Sequence, residues 1–169
     1  MTEKTNTPKL IVMCGLQGSG KTTFSQHMTK CCHDTMIRIS QDESNKKTCH
    51  TEIAKHKSTN KILIVDCCNG TCKARAEWLQ YFKTSQLPIW CIYLKSDPNE
   101  CIKRIRQRKE HPTLNSNSRT IPMIVRTMNK RFEEPTTDEG FEHVITLSSF
   151  DQTNELFRQW KMPEITTSL

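Results

Sequence analysis

Short, unbroken apolar runs alternate along the chain with longer segments rich in charge and helix formers. Leu10-Ile-Val-Met-Cys14 is apolar at every position, as a strand covered on both faces requires. Similar runs recur at 36–40, 61–66, 88–94 and 143–147. Helical composition fills 21–32, part of 43–57, 71–84, 99 to about 108, 121–133 and 152–160. Strand alternating with helix predicts an α/β fold, with about five mostly parallel strands flanked by crossover helices. Asp97-Pro98 supplies a cap and an N1 proline for the fourth helix. Residues 1–8, polar and ending in Pro8, read as a flexible lead-in, 9–161 as one domain and 162–169 as a polar tail.

The strongest local signal follows the first strand. Gly15-Leu-Gln-Gly-Ser-Gly-Lys-Thr22 matches G-x-x-x-x-G-K-[ST] between an apolar strand and a helix, the context that this phosphate-binding loop needs. Its glycines let backbone N–H groups turn onto a phosphate, and the helix adds its positive N-terminus. The nucleotide-binding set is therefore Gly15, Gln17, Gly18, Ser19, Gly20, Lys21, Thr22 and Thr23. Lys21 is expected to reach the β- and γ-phosphates of ATP or GTP, and Thr22 to ligate Mg2+.

Ligands of open α/β sheets bind beyond the carboxyl ends of the strands, where Asp42 and Asp66 both fall. One carboxylate can accept the proton of an attacking hydroxyl while another organises the metal, so Asp42 is assigned to the acceptor and Asp66 to the metal. As a plain structural residue, Asp42 would cap the following helix and Asp66 would end a strand. Arg104 and Arg108, four apart on one helical face before the Pro112 loop, suit a basic lid that stabilises charge on the transferred phosphoryl group. Arg106 would point elsewhere.

Composition adds the partner. Of 169 residues, 25 are Lys or Arg and 18 Asp or Glu, a net +7. Between Asn99 and Arg131 nine bases face only Glu100 and Glu110, so the whole excess sits in that stretch. A polyanionic partner suits it: nucleotide alone, or nucleotide with nucleic acid. Nine cysteines, an odd number, follow an opening segment without an apolar signal core; an intracellular chain of the cytoplasm or nucleus with reduced thiols is expected. Cys31, Cys32 and His33, and Cys67, Cys68 and Cys72, lack the paired Cys-x-x-Cys spacing of structural zinc sites. No apolar run is long enough to cross a bilayer, and no membrane partner is expected.

From Lys9 to Leu147 the chain resembles the 5′-hydroxyl polynucleotide kinase branch of P-loop kinases, which includes the kinase domains of nucleic-acid end-repair enzymes and fungal tRNA ligases. The matching stretches are Gly15 to Thr22, Ile39-Ser-Gln-Asp-Glu43, Ile64-Val-Asp-Cys-Cys-Asn69, Arg75 to Leu79, Cys101 to Thr113, and Arg131-Phe-Glu-Glu-Pro with Glu139-Gly-Phe. The resemblance implies transfer of a γ-phosphate to the 5′-hydroxyl end of RNA or DNA, with Asp42 as general base and Arg104 and Arg108 as lid. It pairs Asp66 with Asn69, and Arg108, His111, Pro112 and Thr113 are similar to the lid of tRNA-ligase kinases. Cys67 stands where family members often carry a basic residue. Lys46 and Lys47 stand near the place of an acceptor-side arginine, so acceptor binding is assigned to Lys46, Lys47 and Asn69. With no phosphatase or ligase motif present, end healing and ligation would fall to a partner protein. Two other readings stay open at this point, a small-molecule kinase and a nucleotide-binding adaptor without catalysis.

Overall fold

The computed structural model describes residues 7–107 and 119–166. Five strands, β1 Leu10–Cys14, β2 Met36–Ser40, β3 Ile62–Asp66, β4 Ile89–Leu94 and β5 His143–Leu147, form one sheet in the order β2-β3-β1-β4-β5. All four pairings are parallel, with Leu10 against both Leu63 and Ile89. The helices are α1 Lys21–Cys31, α2 Lys46–His56, α3 Cys72–Leu79, α4 Pro98–Gln107, α5 Ile121–Lys130 and α6 Phe150–Gln159. The α/β reading therefore holds, with every strand parallel.

Strand periodicity divides the core in two. Leu10, Val12 and Cys14 face one side of β1, with Ile53 of α2 and Trp78 of α3; Ile11 and Met13 face the other, with Phe24 of α1 and Phe157 of α6. Side chains two apart on a strand share a face, so each of the two layers is filled by alternate positions. A third cluster joins Leu16 to Cys101, Ile102 and Ile105 of α4 and to Ile121 and Val125 of α5, seating that helix pair beside the loop after β1.

Local chemistry sets the helix ends. The Asp97 carboxylate accepts the N–H groups of Asn99 (2.8 Å) and Glu100 (3.3 Å), with Pro98 at the first helical position, as expected. Asn45, three residues past Asp42, caps α2 by accepting from Thr48 N at 2.9 Å. Within 162–166, Ile165 is buried, and Asn154 exchanges two hydrogen bonds with its backbone. Pro8 is likewise buried, and Lys9 N donates to the Pro88 carbonyl at 2.7 Å.

Candidate functional site

The loop between β1 and α1 has the backbone that its glycines allow. Gly15, Gly18 and Gly20 have φ of 147°, 83° and 100°, where side chains are strained. A Cβ on Gly18 would stand 2.6 Å from the Cys101 carbonyl, and one on Gly15 2.7 Å from that of Leu94. Lys21 is buried and donates from Nζ to the Leu16 carbonyl at 2.7 Å and to Ser19 Oγ at 3.4 Å. Its ammonium thus lies inside the ring of the loop. Thr22 and Thr23 follow, half-buried, in the first turn of α1. Gln17 Oε1 is buried with no hydrogen-bond partner, the one such atom of the loop.

Asp42 sits in the exposed turn after β2, three residues before the α2 cap, so the capping role falls to Asn45. Asp66, at the carboxyl end of β3, is only 2% exposed. Its Oδ2 accepts from Ser25 Oγ at 2.8 Å and from Nε and Nη2 of Arg38 at 2.9 and 2.7 Å. Ser25 also donates to the Thr22 carbonyl at 3.1 Å, which ties Asp66 to the loop helix. Arg38 in turn reaches Glu43, beside Asp42, at 2.7 Å. Burial alone would lower the Arg38 pKa, but its bonds to Glu43 and Asp66 more than offset that and raise it. Sequence reasoning missed Arg38; the signal was a charged residue inside a strand whose register sets Ser40 opposite Asp66.

The 67–70 loop closes the site from below. Gly15 N donates to the Cys68 carbonyl at 3.1 Å. Burial raises the Cys68 thiol, Lys21 opposes the shift and Asp42 and Asp66 reinforce it, which places this residue among the charges of the site. Asn69 has a left-handed φ of 47°. Its Oδ1 accepts from Trp78 Nε1 (2.7 Å) and Cys67 Sγ (3.0 Å), and its Nδ2 donates to the Met13 carbonyl (2.7 Å). The side chain of Asn69 is thereby spent on shaping the loop. Arg75, fully buried, forks onto Glu139 at 2.7 and 2.6 Å and donates to the carbonyls of Asn69 (2.9 Å) and Glu133 (2.8 Å). The stretches around residues 69, 75, 131–135 and 139 that carried the family resemblance thus meet at one guanidinium.

Two cavities lie near the site. One, of about 610 Å³, lies between the 66–71 loop, α3 and α5; Gln41, Lys46, Asn69 and Arg131 line it with Trp78 and Met128. Lys46 pairs there with Glu77 at 2.6 Å, while Lys47 is exposed and outside the lining. The other, of about 60 Å³, joins Ser19 and Arg104 to Ser148, Ser149 and Phe150. Arg106 lines a separate cavity on the far side of α4, so Arg104 alone of the two turns toward the loop. Arg108, His111, Pro112 and Thr113 lie outside the described residues. Among the described residues no group of three His, Cys, Asp or Glu could hold a metal ion, and no helix is long and apolar enough to cross a membrane.

A family model described as an AAA domain matches residues 10–63. A bifunctional polynucleotide phosphatase/kinase of Schizosaccharomyces pombe is 25% identical over 144 residues, 84% of this chain. The match spans only 34% of that curated relative's own length. Among solved structures, Chaetomium thermophilum Kti12 in complex with ADP-AlF3 superposes with a TM-score of 0.66 at 17% identity, over 90% of this chain and 98% of that one. A fungal RNA kinase gives 0.62 at 16% identity over 90% and 83%. A gluconokinase of Sinorhizobium meliloti gives 0.56 at 15% over 83% and 82%. The fold is that of P-loop kinases, and the resemblance to the polynucleotide kinase branch is borne out by the curated relative.

Proposed function

We propose that this chain, with its P-loop kinase fold, transfers the γ-phosphate of ATP or GTP to the 5′-hydroxyl end of RNA or DNA. The observation that supports the reading is the larger cavity, lined by Lys46 and Arg131 and by Cys68, whose carbonyl accepts from Gly15 N of the phosphate loop. Phosphoryl transfer needs donor and acceptor to approach a single phosphate from opposite sides in line. The smaller cavity, touching Ser19 and Arg104, is the donor side, and the larger, opening beside Cys68 and Lys46, is the acceptor side.

Each group is assigned a part in this transfer. The loop offers its backbone N–H groups and the Lys21 ammonium already inside the ring. Lys21 stabilises charge on the transferred group. Asp42 accepts the proton of the attacking hydroxyl from its exposed turn, and Arg104 and Arg108 close over the phosphate from the donor side. Thr22 and Asp66 would hold Mg2+, which supplies charge neutralisation between the phosphates. Arg38 and Ser25 fix Asp66 for that purpose. Lys46 and Arg131, lining the acceptor cavity, meet the phosphates of the acceptor strand, and Lys47 adds charge outside it.

One observation favours a second reading. Cys67, Ala74, Trp78, Met123, Ile124 and Met128 give the acceptor cavity a largely apolar lining, which would also suit a small-molecule acceptor. The deciding experiment offers γ-labelled ATP or GTP, with magnesium, to matched 5′-hydroxyl RNA and DNA oligonucleotides, with Asp42→Ala as control. Label on a 5′ end that disappears in the variant establishes the polynucleotide kinase. Nucleotide binding without any labelled oligonucleotide transfers the claim to a small-molecule acceptor.

A further inference from the structure

The acceptor cavity explains how a 5′ end is held, but most of the basic stretch lies elsewhere. Behind α4, a cavity of about 390 Å³ is lined by Lys103, Arg106 and Arg126, with Asn99, Gln107 and Pro122. Arg126 donates to Asn99 Oδ1 at 3.5 Å, a neutral amide, and this contact bridges α4 to α5. The arginines outside 99–131 are Arg38, Arg75 and Arg158, and each is paired with a carboxylate. Among the described residues, Arg106 and Arg126 have no such partner. Among the described residues the nearby acids do not neutralise them: Asp97 is occupied with the helix cap, Glu100 does not line the cavity, and α5 has no acidic residue. Three cations held together with no counter-charge among the described residues repel one another, and the described fold gains nothing from them.

We infer that this groove is a second anion site, which binds backbone phosphates of the acceptor strand downstream of its reacting end. The inference rests on the polynucleotide reading above. Helix α5 is the shared wall: Met123, Ile124 and Met128 face the acceptor cavity, while Pro122 and Arg126 face the groove. A strand whose 5′ end enters the cavity crosses α5 and lays its following phosphates on Lys103, Arg106 and Arg126. The polar Asn99 and Gln107 suit sugar and phosphate contacts, which position a strand without reading its sequence. A lipid surface fits less well, because the two large exposed apolar side chains, Leu87 and Met123, do not line the groove.

The test uses the full chain and the triple variant Lys103→Ala, Arg106→Ala, Arg126→Ala. All three side chains are exposed, so unchanged thermal unfolding is the control for folding. Binding of a 3′-fluorescent, 5′-hydroxyl oligonucleotide is followed by anisotropy across a salt series, and phosphate transfer to the same oligonucleotide and to a dinucleotide is assayed separately. Losing three phosphate contacts on a single strand should flatten the slope of log affinity against log salt by about 2. KM for the long acceptor should rise while kcat, and both constants for the dinucleotide, stay unchanged. An unaltered salt slope, or equal losses on long and short acceptors, overturns the groove. If wild type binds with the steep slope but transfers nothing, the kinase reading fails and the groove stands. Loss of binding to phosphatidylserine vesicles in the variant, with oligonucleotide binding intact, would overturn the inference in favour of a membrane.

Discussion

Replacing Glu139 by glutamine preserves its shape and removes its charge, leaving the Arg75 guanidinium excluded from solvent with no anionic partner. The native fork has bonds of 2.7 and 2.6 Å, and Arg75 and Glu139 are 0% and 9% exposed. Removing one partner of a buried pair costs about 3–5 kcal/mol. The amide oxygen still accepts one bond, so Glu139→Gln should fall near the lower end, about 3 kcal/mol out of a typical domain stability of about 5–15 kcal/mol. Arg75→Met should cost more, because it also strips a donor from the carbonyls of Asn69 and Glu133. The pH dependence has a definite sign. Burial alone would raise the Glu139 carboxyl, but the bonds and charge of Arg75 outweigh it and hold the pKa below the ordinary value of 4.5. A depressed carboxylate contributes stability that is complete above its unfolded pKa and is lost as pH falls through the folded one. The gap between wild type and Glu139→Gln should therefore be full at neutral pH and shrink below pH 4.5. Urea unfolding at a series of pH values reads it directly. A gap under about 1 kcal/mol at pH 7, the size of an exposed pair, refutes the staple, and so does a gap that ignores pH.

Asp42→Asn should lower phosphate transfer by about 10²- to 10⁴-fold at unchanged nucleotide affinity; a smaller loss in single-turnover assays removes Asp42 as general base. Gly18→Ala forces a side chain to within 2.6 Å of the Cys101 carbonyl at a positive φ, so strain of about 1–3 kcal/mol should weaken ATP binding about tenfold or more by calorimetry. Native affinity there would show that the loop can yield. Arg38→Met leaves buried Asp66 with Ser25 alone and should cost about 3–5 kcal/mol, much of it recovered when Asp66→Asn is added. Strict additivity in that double-mutant cycle would deny the pair.

The strands could be read because parallel strands buried on both faces are continuous apolar runs, and Leu10 to Cys14 is where its run placed it. The phosphate loop was equally open to reading, since its constraints are local: glycines at positive φ, then a helix. Pairings across long sequence separations were not. Arg75 finds Glu139 sixty-four residues away, and Arg38 finds Asp66 across twenty-eight. Nothing in the spacing of either pair announces it; only the sheet order and the return of the chain after α5 bring them together. Asn69 carries more than its assignment to acceptor binding: it lines the larger cavity, and its left-handed backbone and bonds to Trp78 and Met13, which no spacing announces, shape the loop as well. Asp42, lastly, escapes the capping role because the chain makes a further turn before Asn45 starts α2.

The missing Cβ of Gly18 has a mechanical meaning. With Cys101 pressed against that glycine and Leu16 embedded among Ile102, Ile105 and Val125, the base of α4 and the whole of α5 are welded to the phosphate cradle. The helix is a lever whose fulcrum is the loop itself. Neither helix can shift at these contacts without shifting the loop. Should a strand on Lys103 and Arg126 tighten the hold on a nucleotide in the cradle, the nucleotide must tighten the hold on the strand by the same factor.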